Sequence, residues 1–186
     1  MLRKLLLFAL LINSFCSVAQ KKTYRSYNYF ALLAGEKTGQ QLLTTHGLEK
    51  GSWFAGIGTG IDNYERLSLP VFLSGSKYLF PSSNNLLFTI NAGVSFSLEN
   101  NNEMLRTAVK ANYPARPFGE AGFVYRFSEK SMKPGQGILL GAYYSYKAMR
   151  VKQTLSGNCP NPPCADTYEY INYELNRWAF KVGLAL

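Results

Sequence analysis

From Leu86 to Leu98 the chain alternates without a break. Leu86, Phe88, Ile90, Ala92, Val94, Phe96 and Leu98 fall on one side of an extended backbone, and Leu87, Thr89, Asn91, Gly93, Ser95 and Ser97 on the other. Period two is the signature of a β-strand, whose successive side chains point to opposite faces. The last segment repeats it, with Trp178, Phe180, Val182, Leu184 and Leu186 on one face and Arg177, Ala179, Lys181, Gly183 and Ala185 on the other. Eight such segments are expected, over 27–35, 41–47, 52–61, 66–80, 86–98, 116–127, 138–152 and 168–186. Alternation is poorest in the first two. Helix-period spacing with caps is absent, apart from a helical turn expected at 105–110. Thirteen Tyr, twelve Phe and sixteen Gly agree with β structure and tight turns.

The face opposite the apolar one decides which way such a sheet is turned. It is dominated by Gly, Ser, Ala and Thr: Gly56, Gly58 and Gly60 share one side of the third segment, and Gly93, Ser95 and Ser97 one side of the fifth. The water-facing side of a soluble sheet would carry more Lys and Glu, whereas a narrow barrel interior needs small side chains. The same face carries isolated ionisable groups in mid-strand, namely Glu120, Arg126, Lys147, Arg177 and Lys181. Opposite charges there would neutralise one another inside a lumen, forming a charge network. The sequence therefore predicts an all-β fold, an eight-stranded antiparallel up-and-down transmembrane β-barrel with apolar residues outward. A soluble lipocalin-like barrel that binds lipid is the alternative from the same pattern.

Connection lengths fit the membrane reading. The longest connections are the fifth (99–115) and the seventh (153–167), while the second and fourth are short. Odd connections share one end of an up-and-down barrel, as long outer loops do, and both termini share the other. Tyr24, Tyr27, Tyr29, Phe30, Tyr78, Phe80, Tyr168, Tyr170 and Tyr173 are expected near the two rims, where aromatic side chains suit a water–lipid boundary.

The first residues read as an address. Arg3 and Lys4 precede an apolar run from Leu5 to Ile12, and Ser17-Val18-Ala19 follows. This is the layout of a cleaved secretory signal peptide over 1–19, leaving a barrel domain over 20–186. Lipidation at Cys16 is the weaker alternative, because bulky Phe15 precedes it. Removing Arg3 and Lys4 takes the chain from +9 to +7. Cys159 and Cys164 remain, in the Pro-rich stretch Cys159-Pro-Asn-Pro-Pro-Cys164, and export favours a disulfide between them. A mean hydropathy of −0.11 excludes a bundle of membrane helices.

The run Gly56-Ile57-Gly58-Thr59-Gly60-Ile61-Asp62-Asn63-Tyr64, followed by Leu69-Pro70-Val71-Phe72-Leu73 and Tyr78-Leu79-Phe80, resembles small outer-membrane β-barrel proteins of the Bacteroidota. Asn91-Ala92-Gly93-Val94-Ser95-Phe96 and the stretch 119–127 fit the same pattern, so the resemblance covers most of residues 50–186. It implies a barrel in the outer membrane of a Gram-negative cell envelope and, since most such proteins have no assigned activity, little else.

No motif marks an enzyme, a cofactor or a metal. Gly56-x-Gly58-x-Gly60 lacks the spacing and the following helix of a dinucleotide site. One His and two Cys do not make a zinc site. His46, beside Thr44 and Thr45, is the only candidate base for the runner-up function, a lipid A-modifying enzyme. Basic residues 106, 110, 116, 150 and 152 near the long connections suit lipopolysaccharide phosphates better than nucleic acid, which is not expected. The function expected is non-enzymatic: structural, recognition or accessory-subunit. Its partners would be outer-membrane lipid and lipopolysaccharide, and a larger outer-membrane protein complex.

Overall fold

A computed structural model describes residues 22–80, 85–98, 110–112, 114–128, 136–155 and 167–186. The signal-peptide residues and Cys159 and Cys164 lie outside the described residues. The strands are β1 (Thr23–Ala34), β2 (Thr38–Lys50), β3 (Trp53–Tyr64), β4 (Arg66–Tyr78), β5 (Leu86–Ser97), β6 (Lys110–Asn112), β7 (Arg116–Phe127), β8 (Gly137–Leu155) and β9 (Thr167–Ala185). Eight of them close into a ring in the order β8-β7-β5-β4-β3-β2-β1-β9, sealed where β9 returns to β8. Every pairing is antiparallel and joins neighbours in sequence, apart from the β1–β9 closure and short β6. The fold is thus a closed eight-stranded antiparallel up-and-down β-barrel, with no helix among the described residues.

β6 stands outside the ring. It pairs only with the far end of β8, Lys110↔Thr154 to Asn112↔Lys152. A strand therefore occupies Lys110, the last residue of the expected helical turn; 105–109 lie outside the described residues. β8 and β9 are nineteen residues each and stay paired to Leu155↔Thr167. Their partners in the wall stop earlier, at Phe118↔Lys147 and Ala34↔Trp178, so the β8–β9 hairpin stands above the rim as a ribbon.

The weakly alternating segments prove to be longer strands than the sequence predicts: β1 begins at Thr23 and β2 runs from Thr38 to Lys50. Neighbours hold them along their whole length, with twelve paired positions from Thr23↔Glu49 to Ala34↔Thr38. The tight turns have local causes. Gly51 takes φ +60° between β2 and β3, a left-handed conformation glycine adopts without strain. Glu65 takes φ +63° alone between β3 and β4, and its carboxylate meets Lys37 Nζ at 2.8 Å, tying two turns together. That hydrogen bond and the charge behind it hold the Lys37 ammonium above the ordinary lysine range.

The wall is turned inside out relative to a soluble barrel. Ile57, Leu73, Ile90, Phe123, Phe180 and Leu184 are exposed, Leu73 at 67 %. Gln41, Thr45, Asp62, Asn91, Glu120, Arg126, Lys147, Arg177 and Lys181 are buried. The interior nonetheless holds more bulk than small residues alone would supply. Tyr27, Phe54, Tyr78, Leu87, Val124 and Leu139 pack together toward the end that holds the termini, and Leu43, Phe72 and Phe118 form a second cluster. Glycine makes the room. A Cβ on Gly58 would stand 2.3 Å from the Phe72 ring, and one on Gly122 would stand 2.6 Å from Tyr143.

This corrects the expected position of three aromatics. Tyr27 and Tyr78 are inside, and Tyr29 packs against both interior clusters rather than at a rim. Their parity along the strand, not their nearness to its end, sets the side. Tyr24, Phe30, Phe80, Tyr170 and Tyr173 are exposed.

Candidate functional site in the barrel interior

Strand parity delivers one charged side chain after another to the barrel axis, and register sets the heights at which they meet. Toward the end of the long connections, Asp62 of β3 faces Arg177 of β9 across the lumen. Arg177 Nη1 donates to Asp62 Oδ1 at 3.1 Å, and Nη2 donates to Oδ2. Two parallel N–H···O bonds match the planar guanidinium to the carboxylate. Arg177 Nε donates to Ser145 Oγ at 3.2 Å, and the guanidinium lies 4.9 Å from the centre of the Tyr64 ring. Lys147 Nζ joins the group 3.6 Å from Asp62 Oδ1, donating to Ser68 Oγ at 2.7 Å and to the Tyr64 carbonyl at 3.3 Å. The Tyr64 amide, at 2.9 Å, gives Asp62 a further donor.

The second group sits at mid-barrel. Lys181 Nζ pairs with Glu120 Oε2, which also accepts from Asn91 Nδ2 at 3.2 Å. The ammonium lies 4.1 Å from the centre of the Tyr143 ring, whose face favours a cation. The third group is a relay at the end of the termini. Arg126 Nη1 donates to Tyr78 Oη at 2.8 Å, Tyr78 Oη donates to Glu49 Oε2 at 3.0 Å, and Arg25 Nε lies 3.5 Å from the same carboxylate oxygen.

The five charges that the sequence places inside thus fall in three groups rather than one network: Lys147 with Arg177, Glu120 with Lys181, and Arg126 alone. Each group is closed by residues that sequence reasoning left out, Asp62 above all. Its signal was available, because Asp62 shares parity with Gly56, Gly58 and Gly60 on β3. Glu49 and Arg25 gave no such signal, lying on the strands whose alternation is poor.

Chemically, the interior binds itself. Arg177, Tyr64, Tyr78, Tyr143 and Phe54 are fully buried and fill the lumen rather than line a wide channel. His46 lies on the outer wall. Its Nδ1 meets Tyr24 Oη at 2.6 Å and its Nε2 meets Thr44 Oγ1 at 2.9 Å. Thr44 in turn directs its hydroxyl to Asn28 Oδ1 at 2.8 Å. These are hydroxyl and amide contacts, not the nucleophile–His–carboxylate array of acyl transfer. Of the basic residues near the long connections, Arg150 donates to Asn172 Oδ1 at 2.6 Å and Arg116 is half-buried at the mouth. Residues 110 and 152 fall in β6 and β8, and 106 lies outside the described residues. No group of three or more His, Cys, Asp or Glu is placed to hold a metal among the described residues.

A closed up-and-down barrel of eight strands, apolar outside and charged within, defines the class of the fold. A solved structure of that fold is similar to it: the outer membrane protein OprG from Pseudomonas aeruginosa, 10 % identical, with a TM-score of 0.53 and alignment over 90 % of this chain and 96 % of that one. At that identity the likeness speaks for the fold alone. No family model and no curated protein matches the sequence.

Proposed function

We propose that this chain is an integral outer-membrane β-barrel with a non-enzymatic role, structural, recognition or accessory-subunit. The observation that carries the proposal is the inverted wall. A continuous exterior of Leu, Ile, Val and Phe encloses buried ion pairs, an arrangement that water would penalise and acyl chains favour. Dimensions agree. Strands of twelve or thirteen residues at ~3.3 Å each, tilted by ~45°, span about 30 Å, the thickness of a hydrocarbon core. Exposed aromatics support the same reading at both ends: Trp53, Phe80, Tyr125 and Phe127 toward the termini, and Tyr144, Tyr173 and Trp178 toward the long connections.

The proposal includes the finer expectations: a signal peptide cleaved after Ala19, a Cys159–Cys164 disulfide in the seventh connection, lipid and lipopolysaccharide around the barrel, and kinship with the small Bacteroidota barrels. Support for the last rests on the Gly56–Tyr64 and Leu69–Phe80 patterns. The filled lumen supports a role carried by the outer surface and loops rather than by a pore.

Fractionation tests the core of it. The mature protein is expected in the detergent-extracted outer-membrane fraction, migrating faster unheated than boiled on a denaturing gel. Recovery from the soluble fraction without detergent would overturn the reading. Intact-mass measurement should show a chain beginning at Gln20 and two hydrogens lighter than its reduced form.

A further inference from the structure

At the end that holds the termini, three lysines stand together on the outer face of the wall. Lys50 closes β2 and is paired with Trp53 across the Gly51-Ser52 turn, and Trp53 is paired in turn with Lys77 of β4. Residues directly opposite one another in an antiparallel ladder share a face of the sheet. Lys50 has the parity of exposed His46 and Leu48, and Trp53 and Lys77 are themselves exposed, so that face is the outer one. Lys22 extends the row. It precedes Thr23, whose partner is Glu49, and it has the parity of exposed Tyr24. Lys77 Nζ lies 4.9 Å from the centre of the Trp53 ring, a cation held against an aromatic face.

The charge of this patch is unanswered and one-sided. No acidic side chain lies on the outer face of β1, β2, β3 or β4. Glu49, next to Lys50 in the chain, has the opposite parity, and it accepts from Tyr78 with Arg25 beside it. None of the three lysines has a carboxylate partner among the described residues. Around the other half of the same rim, β7, β8 and β9 turn Tyr125, Phe127, Ile138 and Leu184 outward, and no cation among the described residues. Lysines that only carried strand ends into water would be spread around the ring.

The wall just above the lysines is low. Ala55 is paired with Leu48 on one side and with Gly75 on the other, and a Cβ at Gly75 would meet nothing within 4 Å. Exposed Leu48, Ile57 and Leu73 border this shelf. We infer that the patch binds an anionic glycerophospholipid, its phosphate held by Lys50 and Lys77, with Lys22 adding charge and the Trp53 indole N–H donating. One acyl chain lies over Ala55 and Gly75. Charge complementarity selects the anion, and the apolar shelf selects a lipid over free phosphate. The inference rests on the membrane reading and deepens it, by assigning the lipid to the leaflet at the end of the termini.

The test uses the full mature barrel refolded in uncharged detergent micelles. Heat-modifiable migration reports that it is folded, so loss of the barrel and loss of the site read differently. Dioleoylphosphatidylglycerol or dioleoylphosphatidylcholine is added, and native mass spectrometry counts the lipid retained when the detergent is stripped. Retention of phosphatidylglycerol is expected to saturate at a single lipid and to exceed that of phosphatidylcholine, which has the same chains and phosphate but no net charge. Lys50→Gln with Lys77→Gln should weaken it roughly tenfold, because each lysine facing an anionic lipid contributes a severalfold factor. Arg150→Gln, at the opposite end, also removes a charge and should leave retention unchanged. Equal retention of the two lipids overturns the inference, as does displacement of the lipid by inorganic phosphate. So does a double-lysine variant that retains phosphatidylglycerol as the parent does, or an Arg150→Gln barrel that loses it equally.

Discussion

Arg177 and Asp62, 115 residues apart in the chain and two strands removed from being neighbours in the wall, meet across the barrel axis through both terminal guanidinium nitrogens. Neither side chain is accessible to solvent. A pair so placed ties β3 to β9 across the lumen.

Removing one partner should therefore be severe. Asp62→Asn leaves Arg177 and Lys147 as buried cations without a counter-charge, at a cost of roughly 3–5 kcal/mol. Urea unfolding in lipid vesicles is expected to shift its midpoint markedly downward. The double change Asp62→Asn with Arg177→Met should recover part of the loss, because the orphaned guanidinium is removed with its partner while Lys147 still lacks its counter-charge. A double variant no better than the single one would show that the pair is not the source.

Glu120 and Lys181 make an independent test. Glu120→Gln and Lys181→Met should each destabilise the barrel, and together by less than the sum, with a coupling of about 1–3 kcal/mol in a double-mutant cycle. This pair and Asp62–Arg177 share no direct contact among the described residues, so variants combined across the two groups should couple less strongly than variants within one pair.

Two glycines on β3 and β4 separate inside from outside. Gly58→Leu drives a side chain into the Phe72 ring and should destabilise by about 1–3 kcal/mol. Gly75 points outward, and a Cβ there meets nothing within 4 Å, so Gly75→Leu should be neutral or stabilising in vesicles. The reverse ranking would mean that the wall is turned the other way.

Phe180→Lys and Leu73→Lys test what covers the wall. Both positions are exposed, so in water such changes would alter stability by a few tenths of a kcal/mol. In a bilayer a lysine on the outer face near the midplane costs ~2–4 kcal/mol. The larger loss is expected in vesicles, read from the equilibrium unfolding midpoint.

Much of the site was legible before any coordinate. Glu120, Arg126, Lys147, Arg177 and Lys181 each share parity with small residues on a strand whose other face is apolar, and parity alone sends them inward. Asp62 obeys the same rule beside Gly56, Gly58 and Gly60, so the sequence carries its signal too. Glu49, Arg25, Tyr27 and Tyr29 belong to a different case. β1 carries Leu, Ala and Tyr on both faces and β2 carries Leu on both, so alternation by itself does not say which parity turns inward, and the neighbouring strands decide it.

What the amino-acid sequence determined by itself is the alternation: eight strands, their approximate limits, and an apolar face opposed to a small and ionic one. That information is local, because the direction of a side chain in a strand repeats every two residues. What only the tertiary structure decided is which charges meet. Partners in a barrel are fixed by the register of every strand with the next and by the stagger accumulated around the ring, so Glu120 of β7 meets Lys181 of β9 across β8, and Asp62 of β3 meets Arg177 only once β9 has closed on β1.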